Sequence, residues 1–208
     1  ATGEAAPREA PRDRSVSRYT LRIAGLTVRV EARTPSLLFR VEGPSRDFLV
    51  EDGPADLVLD ASLRPLETEI EGTLLFDSGG PWMLHRLEGR RVYRVFDRRV
   101  APHPYTEVRL EPDGKTGQLF LDPRLLEPGA PIDPLAFPLD ELLFLELLSR
   151  HGGVELHGFG VVDPAGQGLL FTGHSGDGKT TLARLWEAEP GATVLSDDRI
   201  VVRRRPDG

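Results

Sequence analysis

The sequence predicts a chain of α/β class in two parts: a mostly antiparallel β module over residues 18–122 and a strand–loop–helix unit over 139–208. Three observations predict it. Residues 18–122 carry short runs of alternating apolar and polar residues divided by turn signals, the pattern of half-buried strands. Residues 123–138 hold Pro123, Pro128, Pro131, Pro134 and Pro138 and read as a linker. Beyond them, Gly173-His-Ser-Gly-Asp-Gly-Lys-Thr180 fits the phosphate-loop pattern G-x-x-x-x-G-K-[ST].

Composition bounds the function classes. A length of 208 residues allows one or two domains with a real core. A net charge of −7 and a pI near 5.3 argue against nucleic acid as the partner. There is no cysteine, which excludes disulfides and thiolate metal sites. The longest apolar run, Leu142 to Leu148, is broken by Glu146 and too short to span a bilayer. With no secretory signal visible, a cytoplasmic location is the default expectation. Only Lys115 and Lys179 are lysines among 26 basic residues. A chain that otherwise uses arginine thus keeps lysine at the phosphate position.

Residues 1–17 are polar, charged and proline-bearing, and are expected to be a disordered tail. Tyr19–Ile23 and Leu26–Glu31 alternate around Ala24-Gly25 and predict a hairpin. Further strands are predicted at Asp47–Val50, Asp56–Leu59, Gly72–Phe76, Arg91–Phe96, Glu107–Leu110 and Gln118–Leu121. The turns between them include Glu51–Pro54, Asp77–Pro81 and Pro112–Gly114. The module carries no catalytic motif, so a scaffold or substrate-docking role is expected of it. After the linker, Asp140 is placed as the N-cap of a helix whose apolar surface runs from Leu142 to Leu148. Arg150, His151 and Gly152 fit the end of that helix. Its polar positions are acidic, which disfavours a membrane-surface role.

Val154–Val162 then reads as a strand, Asp163–Gly168 as a turn, and Gly168–Thr172 as a second strand leading into the loop. Gly158-x-Gly160 is no dinucleotide fingerprint, because Asp163 stands where the third glycine belongs and no helix follows. The helix after the loop, with Leu182, Leu185 and Trp186, is stopped by Pro190-Gly191. In the loop, Gly173, Gly176 and Gly178 allow successive backbone N–H groups to turn inward around phosphates. His174, Ser175 and Asp177 fill the variable positions, and Thr181 follows in the helix's first turn. Lys179 would lie against the outer phosphates, the Thr180 hydroxyl would ligate Mg²⁺, and the helix N-terminus would add N–H donors. Ala192–Ser196 predicts a strand ending in Asp197-Asp198. Two adjacent carboxylates there can divide labour, one on the metal and one accepting a proton. His85, His103, His151 and His174 show no metal-ligand spacing and read as surface or packing residues.

Asp197 comes eighteen residues after Lys179, on the next strand. Together with His157-Gly158 upstream and Leu195-Ser-Asp-Asp-Arg-Ile-Val201, the loop resembles the HPr kinase/phosphorylase-like family over residues 140–202. That family shares its nucleotide-binding core with phosphoenolpyruvate carboxykinases. The resemblance implies a P-loop kinase core of that type behind a β-rich module. It also implies transfer of the γ-phosphoryl group of Mg-ATP to a hydroxyl, a serine of a protein or peptide. Carried over, Lys179 holds the phosphates and Thr180 the Mg²⁺, Asp197 is the base, Asp198 assists at the metal, and His157 lies near the reacting phosphate. Two features depart from the family pattern: Thr181 replaces a usual glutamate, and the arginine-glycine-rich signature expected further along is absent, the sequence ending at Gly208 just after the basic run Arg203-Arg-Arg205. From Val154 to Gly208 are 55 residues, few for a closed nucleotide domain. An incomplete kinase domain, or pairing with another copy as a homo-oligomer, is the corresponding expectation. A nucleotide-dependent binding protein without transfer activity and a small-molecule P-loop kinase remain the alternatives.

Overall fold

The computed structural model describes residues 15–174 and 176–204. The chain is mixed α/β, with a large, mostly antiparallel sheet and few helices, in two units, Ala1–Leu147 and Leu148–Gly208. Of the tail expected over 1–17, residues 1–14 lie outside the described ones, and Val16 bridges to Phe39.

The first unit is built on a nine-stranded sheet. Its strands are β1 (Arg18–Ile23), β2 (Leu26–Ala32), β3 (Leu49–Val50), β4 (Leu57–Leu63), β5 (Thr73–Asp77), β6 (Trp82–Leu87), β7 (Arg90–Val95), β8 (Thr106–Leu110) and β9 (Thr116–Leu121). Their spatial order is β3-β1-β2-β4-β9-β8-β7-β6-β5. The β1–β2 hairpin forms as expected, with Ala24 and Gly25 at φ 50 and 75°. Two pairings depart from antiparallel: β2 with β4, and β4 with β9. Hairpin signals report only sequence neighbours, and β4 reaches its place through the long connection after β2. The strand expected at 47–50 shrinks to two residues, because Pro44 opens a 3₁₀ helix over Gly43–Phe48. Strand β6 shows no alternation in the sequence, because Trp82-Met-Leu carries no polar residue between apolar ones.

Leu21, Val28, Val30, Leu57, Leu59, Val92, Val108 and Leu119 are fully buried in the sheet's core. Helix α1 (Leu139–Arg150) adds Leu139, Leu143, Phe144 and Leu147 to the buried set. Asp140 lies in the first turn of α1 rather than at its cap, where its carboxylate accepts from the Ser45 hydroxyl at 2.9 Å. The helix ends as expected, with Gly152 at φ 63° after His151. Glu146 breaks the apolar run of α1 for a local reason. Its buried carboxylate is met by the Arg91 guanidinium and by the Tyr93 hydroxyl at 3.0 Å. Burial, with the Glu146 charge, pushes the Tyr93 hydroxyl far above its ordinary range, so it stays a donor. The proline-rich segment 123–138, expected as a linker, is built into the first unit: Ile132 exchanges backbone hydrogen bonds with Leu38 and Arg40, and Leu135 is buried.

The second unit carries a four-stranded sheet of β10 (Gly153–Val162), β11 (Gly168–Thr172), β12 (Thr193–Ser196) and β13 (Arg199–Arg203), with helix α2 (Lys179–Glu187). Strand β10 is its axis, flanked by β11 on one edge and by β12 and β13 in succession on the other. The β10–β11 turn is set by Asp163, whose carboxylate accepts from Ala165 N–H at 2.9 Å and Gln167 N–H at 2.8 Å. Phe159 and Val161 on β10 and Ala183 on α2 form a small buried core, closed by Leu169, Phe171, Leu182, Trp186 and Val194. No helix among the described residues is long and apolar enough to cross a membrane.

Candidate phosphate-binding site

Strand β11 delivers the loop. Phe171 stacks on buried Phe159 with ring centroids 5.5 Å apart, which fixes the strand end from which Gly173 departs. Gly176 and Gly178 then adopt φ 92 and 87°, a left-handed conformation that side chains with a Cβ resist. Gly178 is the N-cap of α2, and the first intrahelical bond runs from Leu182 N–H to Gly178 O at 2.9 Å. The N–H groups of Lys179, Thr180 and Thr181 therefore have no intrahelical acceptor and sit at the positive end of the helix. Buried Ala183 fixes α2 against β10, where a larger side chain would hold it away.

Within the loop, the Lys179 ammonium donates to Gly173 O at 2.7 Å and His174 O at 2.9 Å, so the loop curls around its own cation. The Asp177 carboxylate accepts from His174 N–H at 2.6 Å. A Cβ on Gly173 would come within 2.7 Å of that carboxylate. Glycine at 173 thus makes room for an anion that the loop supplies itself. Asp177 occupies a variable position of the loop pattern, and only the fold reveals this contact. Thr180 and Thr181 are exposed, and Ser175 lies outside the described residues.

Asp197 and Asp198 stand where one long strand is interrupted. Gly160 pairs with Ser196, and His157 pairs with Arg199 in the same register. The two aspartates therefore lie opposite Phe159 and Gly158, and Gly158 N–H donates to Asp198 O at 3.0 Å. The Ser196 hydroxyl accepts from the N–H groups of Asp198 and Arg199, both at 3.3 Å, and shapes the interruption. On its other side Gly158 pairs with Thr172, the last residue before the loop. Thr172, Gly158 and Asp198 thus form one row across three strands, with the outer two about 10 Å apart at strand spacing. A Cβ on Gly158 would meet Phe171 O at 2.9 Å, which explains glycine after His157.

The row brings His157 and Asp198 into contact, with Nδ1 3.0 Å from Oδ1 and both side chains exposed. Asp198 also lies 3.9 Å from the Arg199 guanidinium, which in turn donates to Glu155 at 2.6 Å. Asp197 is exposed beside them. Among the described residues, no hydrogen bond or ion pair joins Lys179 or Thr180 to either aspartate. Nor does any group of three or more His, Asp or Glu side chains form a metal site. Mg²⁺ bound with a nucleotide needs no such cage, since phosphates and water supply most of its oxygen ligands. The Thr180 hydroxyl at the helix start and the Asp198 carboxylate are oxygen donors of the kind Mg²⁺ takes. Of the remaining histidines, His85 is buried on β6 and the burial lowers its basicity, while His103 lies 3.4 Å from Asp122.

Compared with family models, curated proteins and solved structures, the chain gives no match in any of the three.

Proposed function

We propose that the second unit is the phosphate-gripping part of an HPr kinase-like P-loop kinase that transfers the γ-phosphoryl group of ATP to a hydroxyl. The observation that carries this reading is the row through Gly158, which sets the loop's point of departure and the Asp197-Asp198 interruption at the same level of one small sheet, on the two sides of β10. Lys179 already sits in the hollow of the loop, so an arriving phosphate chain would exchange two neutral carbonyl oxygens for charged ones. The free N–H groups at the start of α2 face the same ligand. Thr180 and Asp198 are the residues that would hold Mg²⁺, which supplies neutralisation of charge on the transferring group. In the transfer, the acceptor oxygen forms the new bond to the γ-phosphorus as the bond to the bridging β–γ oxygen breaks. Asp197 accepts the hydroxyl proton. With Nδ1 held by Asp198, His157 would offer Nε2 to the acceptor side. A serine of a protein or peptide is the acceptor class this reading carries.

Incubation of the chain with γ-labelled ATP, Mg²⁺ and serine-bearing peptides tests the reading. Transfer should fall by about 100-fold or more in Asp197→Asn, the scale of a lost general base, while ATP binding largely survives. Unchanged turnover in Asp197→Asn would remove Asp197 from the base role. A second reading, nucleotide binding without transfer, is favoured by Lys179 and Asp177 both being engaged with the loop's own backbone. Tight ATP binding with no transfer to any acceptor would select it.

A further inference from the structure

The first unit contains a cavity of about 570 Å³ that the nucleotide reading does not use. Its size lies in the range of ligand sites, roughly 300–1,000 Å³. It is built where β7 ends and β8 begins, with the turn before β6 and the Phe137-Pro138 stretch completing the wall. The framework is fixed by backbone bonds. Phe96 N–H donates to Pro81 O at 2.7 Å, Tyr105 N–H to Val95 O at 2.9 Å, and Val100 N–H to Asp97 O at 2.9 Å.

The wall divides by chemistry. Phe96 is buried and lies inside, while Phe137 and Val100 flank the mouth at 69% and 66% exposure. Single exposed apolar residues need no explanation, but two large ones at the mouth of one cavity make an apolar rim. The polar part is the run Asp97-Arg98-Arg99. Asp97 is taken by Arg99, with contacts at 2.9 and 2.8 Å. Arg98 instead stands 4.9 Å over the Phe96 ring, and no carboxylate among the described residues meets it. One cation is therefore left over at the rim of an apolar hollow. Tyr105 joins it there, and burial, with the Asp97 charge, raises its hydroxyl above the ordinary range and keeps it a neutral group.

We propose that this cavity binds an acidic peptide segment, seating one bulky apolar side chain against Phe96 and Tyr105 while a neighbouring carboxylate meets Arg98. The apolar hollow selects the side chain and the unpaired guanidinium selects the sign of its neighbour. The exposed Phe137 and Val100 give the flanking residues of a peptide something to cover, which a small free acid would leave bare. An oligonucleotide fits less well, because the rim offers one surplus guanidinium beside an apolar hollow, which answers one carboxylate next to one apolar side chain rather than a phosphate on every unit of the chain. The proposal is independent of nucleotide binding and is measured without ATP.

The test is fluorescence anisotropy of the whole chain with a fluorescein-labelled Glu-Glu-Phe-Glu-Glu peptide. Saturable binding at submillimolar concentration is expected, about tenfold weaker for the same peptide with Ala in place of Phe. Arg98→Glu and Phe137→Ser should each weaken binding about tenfold, with thermal unfolding unchanged because both side chains are exposed. Arg98→Lys should keep most of the affinity. Absence of saturable binding by the unaltered chain would overturn the proposal. So would equal binding of a Lys-Lys-Phe-Lys-Lys peptide or an oligothymidylate, or two variants that bind as the unaltered chain does.

Discussion

Replacing Gly158 by alanine tests the row on which the site is built. A Cβ at this position would stand 2.9 Å from Phe171 O, 3.4 Å from Leu170 Cδ1 and 3.5 Å from Thr172 Cγ2. The first contact is with backbone and cannot be relieved by turning a side chain, so β10 and β11 must separate. Overpacking of this kind costs about 1–3 kcal/mol, a factor of roughly 5 to 150 in the unfolding equilibrium at 1.4 kcal/mol per decade. The control lies on β11 itself: at Gly168 an added Cβ meets nothing within 4 Å and the backbone conformation is ordinary. Gly168→Ala should therefore be neutral or stabilise by up to about 1 kcal/mol, through the unfolded chain. Urea unfolding followed by tryptophan fluorescence reads the difference. Trp186 lies against the second unit's core and Trp82 in the first unit's sheet, so a Trp82→Phe background isolates the signal. If Gly158→Ala and Gly168→Ala unfold together, within about 0.5 kcal/mol, the close approach of β10 and β11 at this row is wrong. The placement of Asp198 beside the loop would fall with it.

Three further outcomes are expected. Glu146→Ala should destabilise the first unit by about 1–3 kcal/mol in chemical denaturation, because it strands the buried Tyr93 hydroxyl while the half-exposed Arg91 guanidinium turns to water; Glu146→Gln should cost less, since it can still accept from Tyr93. Hydrogen bonds from the Arg124 side chain, followed by backbone N–H groups, hold the Asp122 carboxyl well below the usual carboxylate range. Its stabilisation is complete above the unfolded value near 3.9 and is lost as pH falls below it, so thermal midpoints should drop on acidification and Asp122→Asn should flatten that dependence. In the loop, Asp177→Ala removes a carboxylate that would face an incoming phosphate. About 1 kcal/mol of repulsion at 4 Å in water corresponds to roughly fivefold tighter ATP binding by isothermal titration, against equal or weaker binding if Asp177 plays no part.

The local elements were legible where a signal is local. Ala24-Gly25 marks its hairpin, Gly152 ends α1, and the apolar run before Gly173 is a strand. Long-range pairing was not legible: nothing in Leu57–Leu63 announces that it lies parallel to both β2 and β9. Strand β6 was hidden because Trp82 and Met83 both carry apolar side chains, and alternation is then invisible. Glu146 read as an interruption of an apolar surface, whereas its partners Arg91 and Tyr93 lie far away in sequence. At the site, the pattern placed the loop and the aspartate pair. The contact of His157 with Asp198, and the use of Asp177 inside the loop, depend on register and on left-handed glycines that no residue pattern displays.

On the proposed reading, Gly173–Thr180 grips the phosphates of Mg-ATP through Lys179. Isothermal titration of ATP with Mg²⁺ into the whole chain and into Lys179→Ala measures it most directly. Saturable binding by the unaltered chain, weakened at least about 30-fold by the loss of one charge-assisted phosphate contact of about 2 kcal/mol or more, is the predicted result. Equal heats and affinities for both proteins, or no binding by either, would contradict it.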